Sequence, residues 1–376
     1  MKEFPFAPTR ATGLTYVLFI YSFFSLYVIP YESIPFAKLF LPIVMILWGF
    51  ELIDQKIKVG LVDILLSILV LISSVVPEFS LDRFSDAIII IILLFKFKSI
   101  QTINPLFSRT IYALGSLVLT YHIFFSRYFR DSAIVVINNP DPNFSGFLCL
   151  LLFLFFFKNK YWLGVGICLS ATFLLWSRNY VLALLVFLLL VFLEKFGSFF
   201  YRAVFVRASF LRVFTFFIAL NVAVLFFSFY FIDKVQSPVS LGLMRNDPNR
   251  LLTFEDDSNW YRFNANKEFF DLLKKDRELM LFGVSGARPD LDDMEYRKLL
   301  PNRVPPHNSI YHFVLLRGIL FSLAYFAALA TIFHRLYTPE NLKYIISVLI
   351  FGLFLHAIYS GSFLIFFVAI LSLPER

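Results

Sequence analysis

Long apolar runs separated by short polar segments make up most of the chain. A helix needs about 20 apolar residues to cross the hydrocarbon core of a bilayer, and twelve runs approach that length. The runs lie near residues 12–30, 35–52, 59–77, 85–97, 108–126, 143–157, 161–177, 179–194, 210–232, 308–333, 342–359 and 361–373. This pattern predicts an all-α polytopic membrane protein with about 12 transmembrane helices. The fourth, sixth and last runs are short, so we expect them to be tilted or to be extended by flanking residues.

One long polar stretch, residues 233–307, interrupts the apolar runs. It contains twelve Lys or Arg and thirteen Asp or Glu residues, so its charge is nearly balanced. A disordered segment would lack large apolar residues, whereas four of them fall on one side of a helix here: Phe263, Phe269, Phe270 and Leu273. We therefore expect a helical loop domain between two membrane parts. The expected divisions are 1–232 (transmembrane helices 1–9), 233–307 (large loop) and 308–376 (helices 10–12).

Composition and charge support a membrane location. Charged residues make up only 16% of the chain and hydrophobic residues 59%, whereas a soluble domain has about 25% charged residues. If the N-terminus is cytoplasmic, sixteen Lys or Arg fall in inner segments and only four in short outer ones, as the positive-inside rule requires. Both termini are then cytoplasmic, the first apolar run is a retained span, and the large loop lies on the outer face. Cys149 and Cys168 lie in apolar runs and indicate neither a disulfide framework nor a metal site.

Two arginine positions stand out on the outer side. Arg178 lies in a tight turn between two apolar runs, where it could bind a ligand or simply extend its side chain to the lipid headgroups. Among the loop arginines Arg245, Arg250 and Arg262, we favour Arg262, which we expect to open the amphipathic helix. A guanidinium held at such a place suits a phosphate or diphosphate group.

The stretch RVPPHNSIYHFVLLRG places an imidazole at the mouth of the tenth span. Pro305 and Pro306 directly precede His307 and Asn308, which we expect to begin the helix on its outer side. A neutral imidazole there can accept a proton near neutral pH, although a histidine that only caps the helix is the alternative. Arg317 follows ten residues later, about 15 Å along a helix. A charge at that depth is costly and normally faces a cavity or a partner.

Four motifs occur in an order that resembles the O-antigen ligase and O-antigen polymerase superfamily. They are DPNFSGFLCLLLFLF, LLWSRNYVLALLVF, YRFNANKEFFDLLKKDRELMLFGVSG and HNSIYHFVLLRG. The resemblance therefore extends over approximately residues 140–330. Before that region the resemblance rests on topology. Each motif alone is weak, while the four in order are fairly specific to the superfamily.

The resemblance implies a reaction on glycans carried by undecaprenyl diphosphate, at the periplasmic face of a bacterial inner membrane. Neither a metal nor a nucleotide sugar is implied, so no cofactor is expected. Arg178 and Arg262 would hold the diphosphate, His307 would take the proton of the acceptor hydroxyl, and Asn308 would orient His307 or the glycan. Further expected substrate contacts are Arg250, Asn143 and Arg317. The expected partners are the lipid-linked oligosaccharide, the bilayer and a chain-length regulator protein, with no nucleic acid.

The resemblance leaves three functions open. Ligases of this superfamily often carry Gly, Thr or Tyr three residues after the signature glycine, and this chain has Phe321 there, which favours a polymerase. A ligase that transfers the glycan to a lipid A core or to a protein is the first alternative. The second is a flippase or transporter of lipid-linked sugar, for which we would expect internal repeats and broken helices. The sequence indicates neither.

Overall fold

The computed structural model describes residues 20–27, 60–96, 105–125, 142–175, 177–196, 210–234, 257–288, 290–291, 295–354 and 361–373. All regular structure in these ranges is helical, which confirms the predicted all-α class. Residues 20–27 form one helical segment. The others are α1 (Leu61–Val75), α2 (Leu81–Lys96), α3 (Pro105–Phe125), α4 (Pro142–Lys158), α5 (Trp162–Leu175), α6 (Arg178–Phe196), α7 (Phe210–Lys234), α8 (Asp257–Lys275), α9 (Arg277–Phe282), α10 (Val284–Ala287), a 3₁₀ helix (Glu295–Leu299), α11 (Ser309–Leu336), α12 (Leu342–Gly352) and α13 (Gly361–Ser372).

Several of these helices suit a lipid environment. Three are long and apolar enough to cross a membrane, at Arg178–Phe196, Arg212–Lys234 and Ser309–Leu336, and five shorter ones are also apolar. Helix α6 leaves large apolar side chains such as Leu185 and Phe192 exposed, and a continuous apolar surface of this kind marks contact with lipid or protein. The predicted second run, 35–52, and most of the first lie outside the described residues.

Helix α4 forms the centre of the bundle. Its residues from Phe147 to Phe156 are buried on every side, because the helix is apolar all round, as a fully enclosed helix must be. Gly164 lets α5 come close to it, since a Cβ atom at that position would lie 2.5 Å from the Phe156 ring. Because α4 is enclosed in this way, its first turn, which carries the predicted site residue Asn143, has a fixed place in the bundle.

The bundle has two ends, and interhelical contacts of three basic residues lie at one of them. We call the end at which α4, α6 and α11 finish the inner end, and the end at which they begin the outer end. Three polar contacts made by basic residues lie at the inner end: Lys158–Asn341 (2.7 Å), Lys343–Glu194 (2.7 Å) and Arg335–Asp63. The three basic residues belong to the set predicted to face the cytoplasm, and that orientation stays a prediction.

Helix α11 is broken at Gly318, which has φ 81° and ψ 162°. The break separates an outer half, residues 309–317, from a long half, residues 319–336. Only glycine adopts such a backbone freely, and a Cβ atom at Gly318 would overlap the backbone at Leu281 and Phe282. The expectation that no helix is broken is therefore wrong for α11. The sequence of the tenth run predicts a continuous helix, because a glycine inside an apolar run is tolerated in ordinary helices.

The described part of the 233–307 stretch is mostly helical, and its longest helix, α8, packs on α7. As predicted, Phe263, Phe269 and Leu273 are buried, and Phe263 packs between Phe227 and Phe231 of α7 at ring distances of 5.2 and 5.0 Å. Helix α8 begins at Asp257 rather than at Arg262. The prediction that Arg262 opens the helix is thus wrong by more than one turn, because the helix begins with the polar residues Asp257, Ser258 and Asn259, which precede its first apolar residue, Trp260.

Candidate functional site

The Ser-Arg turn and the opening of α4 meet at the outer end. Helix α6 begins at Arg178, and the backbone N–H of Tyr180 donates to Ser177 Oγ at 3.3 Å. Gly146, in the second turn of α4, allows the approach, because a Cβ atom there would lie 2.9 Å from the Cβ of Tyr180. Asn143 lies in the first turn of the same helix, and its side chain is outside the description. Two of the four motifs are therefore neighbours in space.

The Ser-Arg turn also contacts the amphipathic helix α8. Arg178 Nη2 donates to Asn259 Oδ1 at 3.4 Å, a long and therefore weak hydrogen bond. Asn259 is only 7% exposed, so its position is well determined by packing. Arg262 is half-buried and lies three residues further on, on the same face of the helix. The structure thus brings the two predicted diphosphate ligands into one region.

Asn308 caps α11 and is fully buried. Its Oδ1 accepts hydrogen bonds from two backbone N–H groups of the first turn, at 2.9 and 3.2 Å, as an N-cap side chain does. Its Nδ2 donates to Asn221 Oδ1 at 2.8 Å and to the Leu353 carbonyl at 3.1 Å. This geometry suits the first of its two predicted roles, the orientation of His307, because the amide is enclosed by protein atoms.

His307 lies at the end of a strap, residues 300–308, that leads into α11. His307 is half-buried, and the Nδ1 atom of its ring is enclosed by the protein. Glu268 of α8 holds the strap by accepting hydrogen bonds from the backbone N–H of Asn302, at 3.2 Å, and from its side-chain amide. The strap is thus fixed to α8 at one point and to α11 at its end.

Two asparagines tie the arginine turn and the histidine strap to one support. Asn179 and Asn308 donate to consecutive backbone carbonyls at the end of α12, at 3.3 and 3.1 Å. Asn179 directly follows Arg178, and Asn308 directly follows His307. Because Arg178 in turn contacts the helix of Arg262, all three predicted residues gather at the outer end.

Arg317 is buried and paired with carboxylates. Its side chain is 8% exposed; Nε lies 2.7 Å from Asp86 Oδ2 and Nη1 lies 3.5 Å from Asp82 Oδ2. Both aspartates belong to α2. The costly charge thus has the partner that such a residue requires, whereas its predicted contact with substrate stays a prediction. Arg250, also predicted as a substrate contact, lies outside the described residues.

Sequence reasoning missed several polar residues that hold the site together. Asn221 is a lone amide in the apolar run FFIALNVAVLFF, and an isolated polar residue at membrane depth is a default interaction site. Asp82 and Asp86 are four residues apart and therefore lie on one face of α2. These signals indicate that each residue has a partner, but they do not identify it.

An apolar cavity of about 410 Å³ lies between α7 and α11. Its walls include Phe214 and Phe217 of α7, Ile310 and Val314 of the outer half of α11, and Phe326 of the long half. Ile310 lies two residues after the Asn308 cap, so one end of the cavity reaches the site. No three His, Cys, Asp or Glu side chains among the described residues gather as a metal site would require.

The arrangement combines two guanidinium groups with an imidazole. Guanidinium groups bind phosphate oxygens through paired hydrogen bonds, and imidazole exchanges protons near neutral pH. The site is therefore equipped to hold an anionic group and to accept a proton beside it. Comparison of the chain with family models, with curated proteins and with solved structures finds no match.

Proposed function

We propose that the chain is an O-antigen polymerase, or a polymerase of a related surface polysaccharide. In this proposal it joins undecaprenyl-diphosphate-linked repeat units at the periplasmic face of a bacterial inner membrane. About 12 transmembrane helices and a helical periplasmic domain would hold the site. The observation that carries the proposal is the shared support at the end of α12, which holds the neighbours of Arg178 and His307.

The reaction is a glycosyl transfer without an added cofactor. His307 accepts the proton of the acceptor hydroxyl as that oxygen bonds to the anomeric carbon of the donor glycan. The bond between that carbon and the diphosphate oxygen breaks, and undecaprenyl diphosphate leaves with the electron pair. Arg178 and Arg262 stabilise the charge that develops on the leaving group.

The lipid part of the donor suits the apolar cavity. An undecaprenyl tail is a hydrocarbon chain, and the cavity between α7 and α11 is lined almost entirely by apolar side chains. Because Ile310 lies next to the capped start of α11, a tail in the cavity would place its diphosphate near the outer end. A chain-length regulator remains a proposed protein partner.

The break in α11 is the one observation that favours a transporter. Broken helices in transporters present free backbone groups to the ligand. Here the carbonyl of Leu316, just before the break, accepts a hydrogen bond from Ser285 at 2.6 Å, and the neighbouring Arg317 is paired with Asp86. Groups occupied by the protein itself favour a fixed joint over a transport site, so the transporter stays the weaker candidate.

The test is the glycan profile of a strain that lacks the gene. A polymerase predicts lipid A cores that carry a single repeat unit, because transfer to the core continues without chain growth. Cores with no repeat unit at all would favour the ligase instead. Normal polymer in that strain would overturn both transferase functions.

A further inference from the structure

Both ends of the outer half of α11 are held by side chains from other helices. At its start, the Asn308 cap is bound to α7 through Asn221. At its end, Arg317 is bound by Asp86 and Asp82 of α2, and the arginine side chain is only 8% exposed. The outer half is therefore a short rod fixed at two points, with His307 directly before its first point.

The second fixed point coincides with the break. The backbones of Gly318 and Gly283 are in direct contact, and both have positive φ, 81° and 67°. A Cβ atom at either glycine would overlap the other segment. With Ser285 Oγ bonded to the Leu316 carbonyl at 2.6 Å, the joint has a defined geometry, and the Asp86–Arg317 pair fixes the direction in which the rod leaves it.

We propose that Asp86, assisted by Asp82, is a positioning residue that sets where the His307 imidazole lies. The outer half has nine residues and is about 13 Å long, so a tilt of about 5° at the joint moves its far end by about 1 Å. A misplacement of about 1 Å at a reacting group can cost about 100-fold in rate. This inference rests on the proposed function, since it assigns Asp86 to the same site.

A second arginine–aspartate pair on α11 provides a matched control. Arg335, near the inner end of the same helix, pairs with Asp63 of α1, so both pairs join α11 to a neighbouring helix. Asp63 is more deeply buried than Asp86, with side-chain exposures of 6% and 14%, and it also accepts a hydrogen bond from the Gly60 N–H at 3.2 Å, so its replacement is at least as demanding a test of folding. A role in folding alone would make the two pairs equivalent, whereas a positioning role makes only the outer pair matter for the rate.

The experiment compares Asp86→Asn with Asp63→Asn in purified, membrane-reconstituted protein. Turnover of undecaprenyl-diphosphate repeat units is measured per folded molecule, together with amide hydrogen exchange. For Asp86→Asn we expect kcat to fall by about 10- to 100-fold with KM nearly unchanged, because the diphosphate ligands lie on α6 and α8. Exchange should accelerate in residues 309–317 and stay slow in 319–336. Asp63→Asn should retain the unmodified kcat.

A double variant separates position from the penalty of a buried charge. Asp86→Asn leaves Arg317 short of a carboxylate, and an uncompensated buried charge destabilises the fold. In Asp86→Asn/Arg317→Gln the buried positive charge is gone, and the Asp82 carboxylate that remains is 28% exposed, so the amount of folded protein should recover while kcat stays low. Recovery of the unmodified kcat in this double variant would overturn the proposal.

The remaining outcomes are also decisive. Equal losses of kcat in Asp86→Asn and Asp63→Asn would overturn the positioning role, as would an unmodified exchange rate in residues 309–317 of Asp86→Asn. If the unmodified protein transfers no glycan, the proposed function itself fails. Hydrogen exchange then still decides whether Asp86 holds the outer half of α11, so the two failures are distinguishable.

Discussion

The two arginines at the outer end are the residues on which the proposed leaving-group contact depends. Replacing Arg178 or Arg262 by lysine keeps the charge and removes the planar fork. We expect each variant to lose about 1.5–3 kcal/mol of binding, the typical contribution of a hydrogen bond to a charged group, which is about a 10- to 150-fold loss of polymer formed.

Arg277→Lys provides the control for these variants, because Arg277 is exposed at the start of α9. Polymer length and amount should be compared on glycan gels at matched protein levels. If both site variants polymerise as well as Arg277→Lys, the two arginines act only as positive charges, and the paired hydrogen bonds to a diphosphate must be abandoned.

His307 has a different role, so its replacement should affect the rate rather than binding. His307→Ala should lower the initial rate of polymer formation by about 10²- to 10⁴-fold, the usual contribution of a general base. His334→Ala is the matched control, because His334 is an exposed histidine at the inner end of the same helix. Equal rates in the two variants would show that His307 is not the base.

At this scale the sequence could nominate candidate site residues but not the side chains that they contact. Arg178, Arg262 and His307 were found from motifs and from their places beside apolar runs. Asn259, Asn221 and Asp86 were not, because their importance depends on partners that are 81, 87 and 231 residues away along the chain. Periodicity gives the face on which a residue lies, and only the packing of helices gives the contact.

At the scale of elements, most helices agree with the apolar runs to within a few residues, and α11 is the main exception. The break at Gly318 could not be predicted because its cause lies in another segment. Gly283 removes the side chain that would block the approach, and the two glycines are 35 positions apart in the printed sequence. A glycine inside a continuous helix costs only about 1 kcal/mol, so one such residue does not indicate a break.

The joint provides a stability prediction. Gly318→Ala introduces a Cβ atom into the Gly283 backbone and an alanine at positive φ, which alone costs about 1–2 kcal/mol. We therefore expect a clear loss of thermal stability, measured by the unfolding of purified protein in detergent.

Gly166→Ala in α5 is the control for this prediction, because its added Cβ would have no atom within 4 Å. It should be neutral or stabilise by up to about 1 kcal/mol. Equal unfolding temperatures for the two alanine variants would contradict the described joint.

At the scale of the whole molecule, the two ends of the bundle have different chemistry. The contacts of Lys158, Arg335 and Lys343, which belong to the set predicted to face the cytoplasm, lie at the inner end, whereas the candidate site lies at the outer end. Reporter fusions after Asp247 should therefore give a periplasmic signal, and fusions after Phe196 a cytoplasmic one. A cytoplasmic signal at Asp247 would place the candidate site on the wrong side of the membrane for a lipid-linked glycan.

The support at the end of α12 consists of backbone carbonyls, and this has a consequence for mutational robustness. Asn179 and Asn308 bind the carbonyl oxygens of Phe354 and Leu353, which every amino acid supplies. Side-chain changes at positions 353 and 354 therefore leave the acceptors in place. Since both carbonyls belong to one short segment, thermal motion of that segment displaces the arginine turn and the histidine strap together. The separation between Arg178 and His307 is thus less sensitive to fluctuations of the bundle than the position of either residue alone.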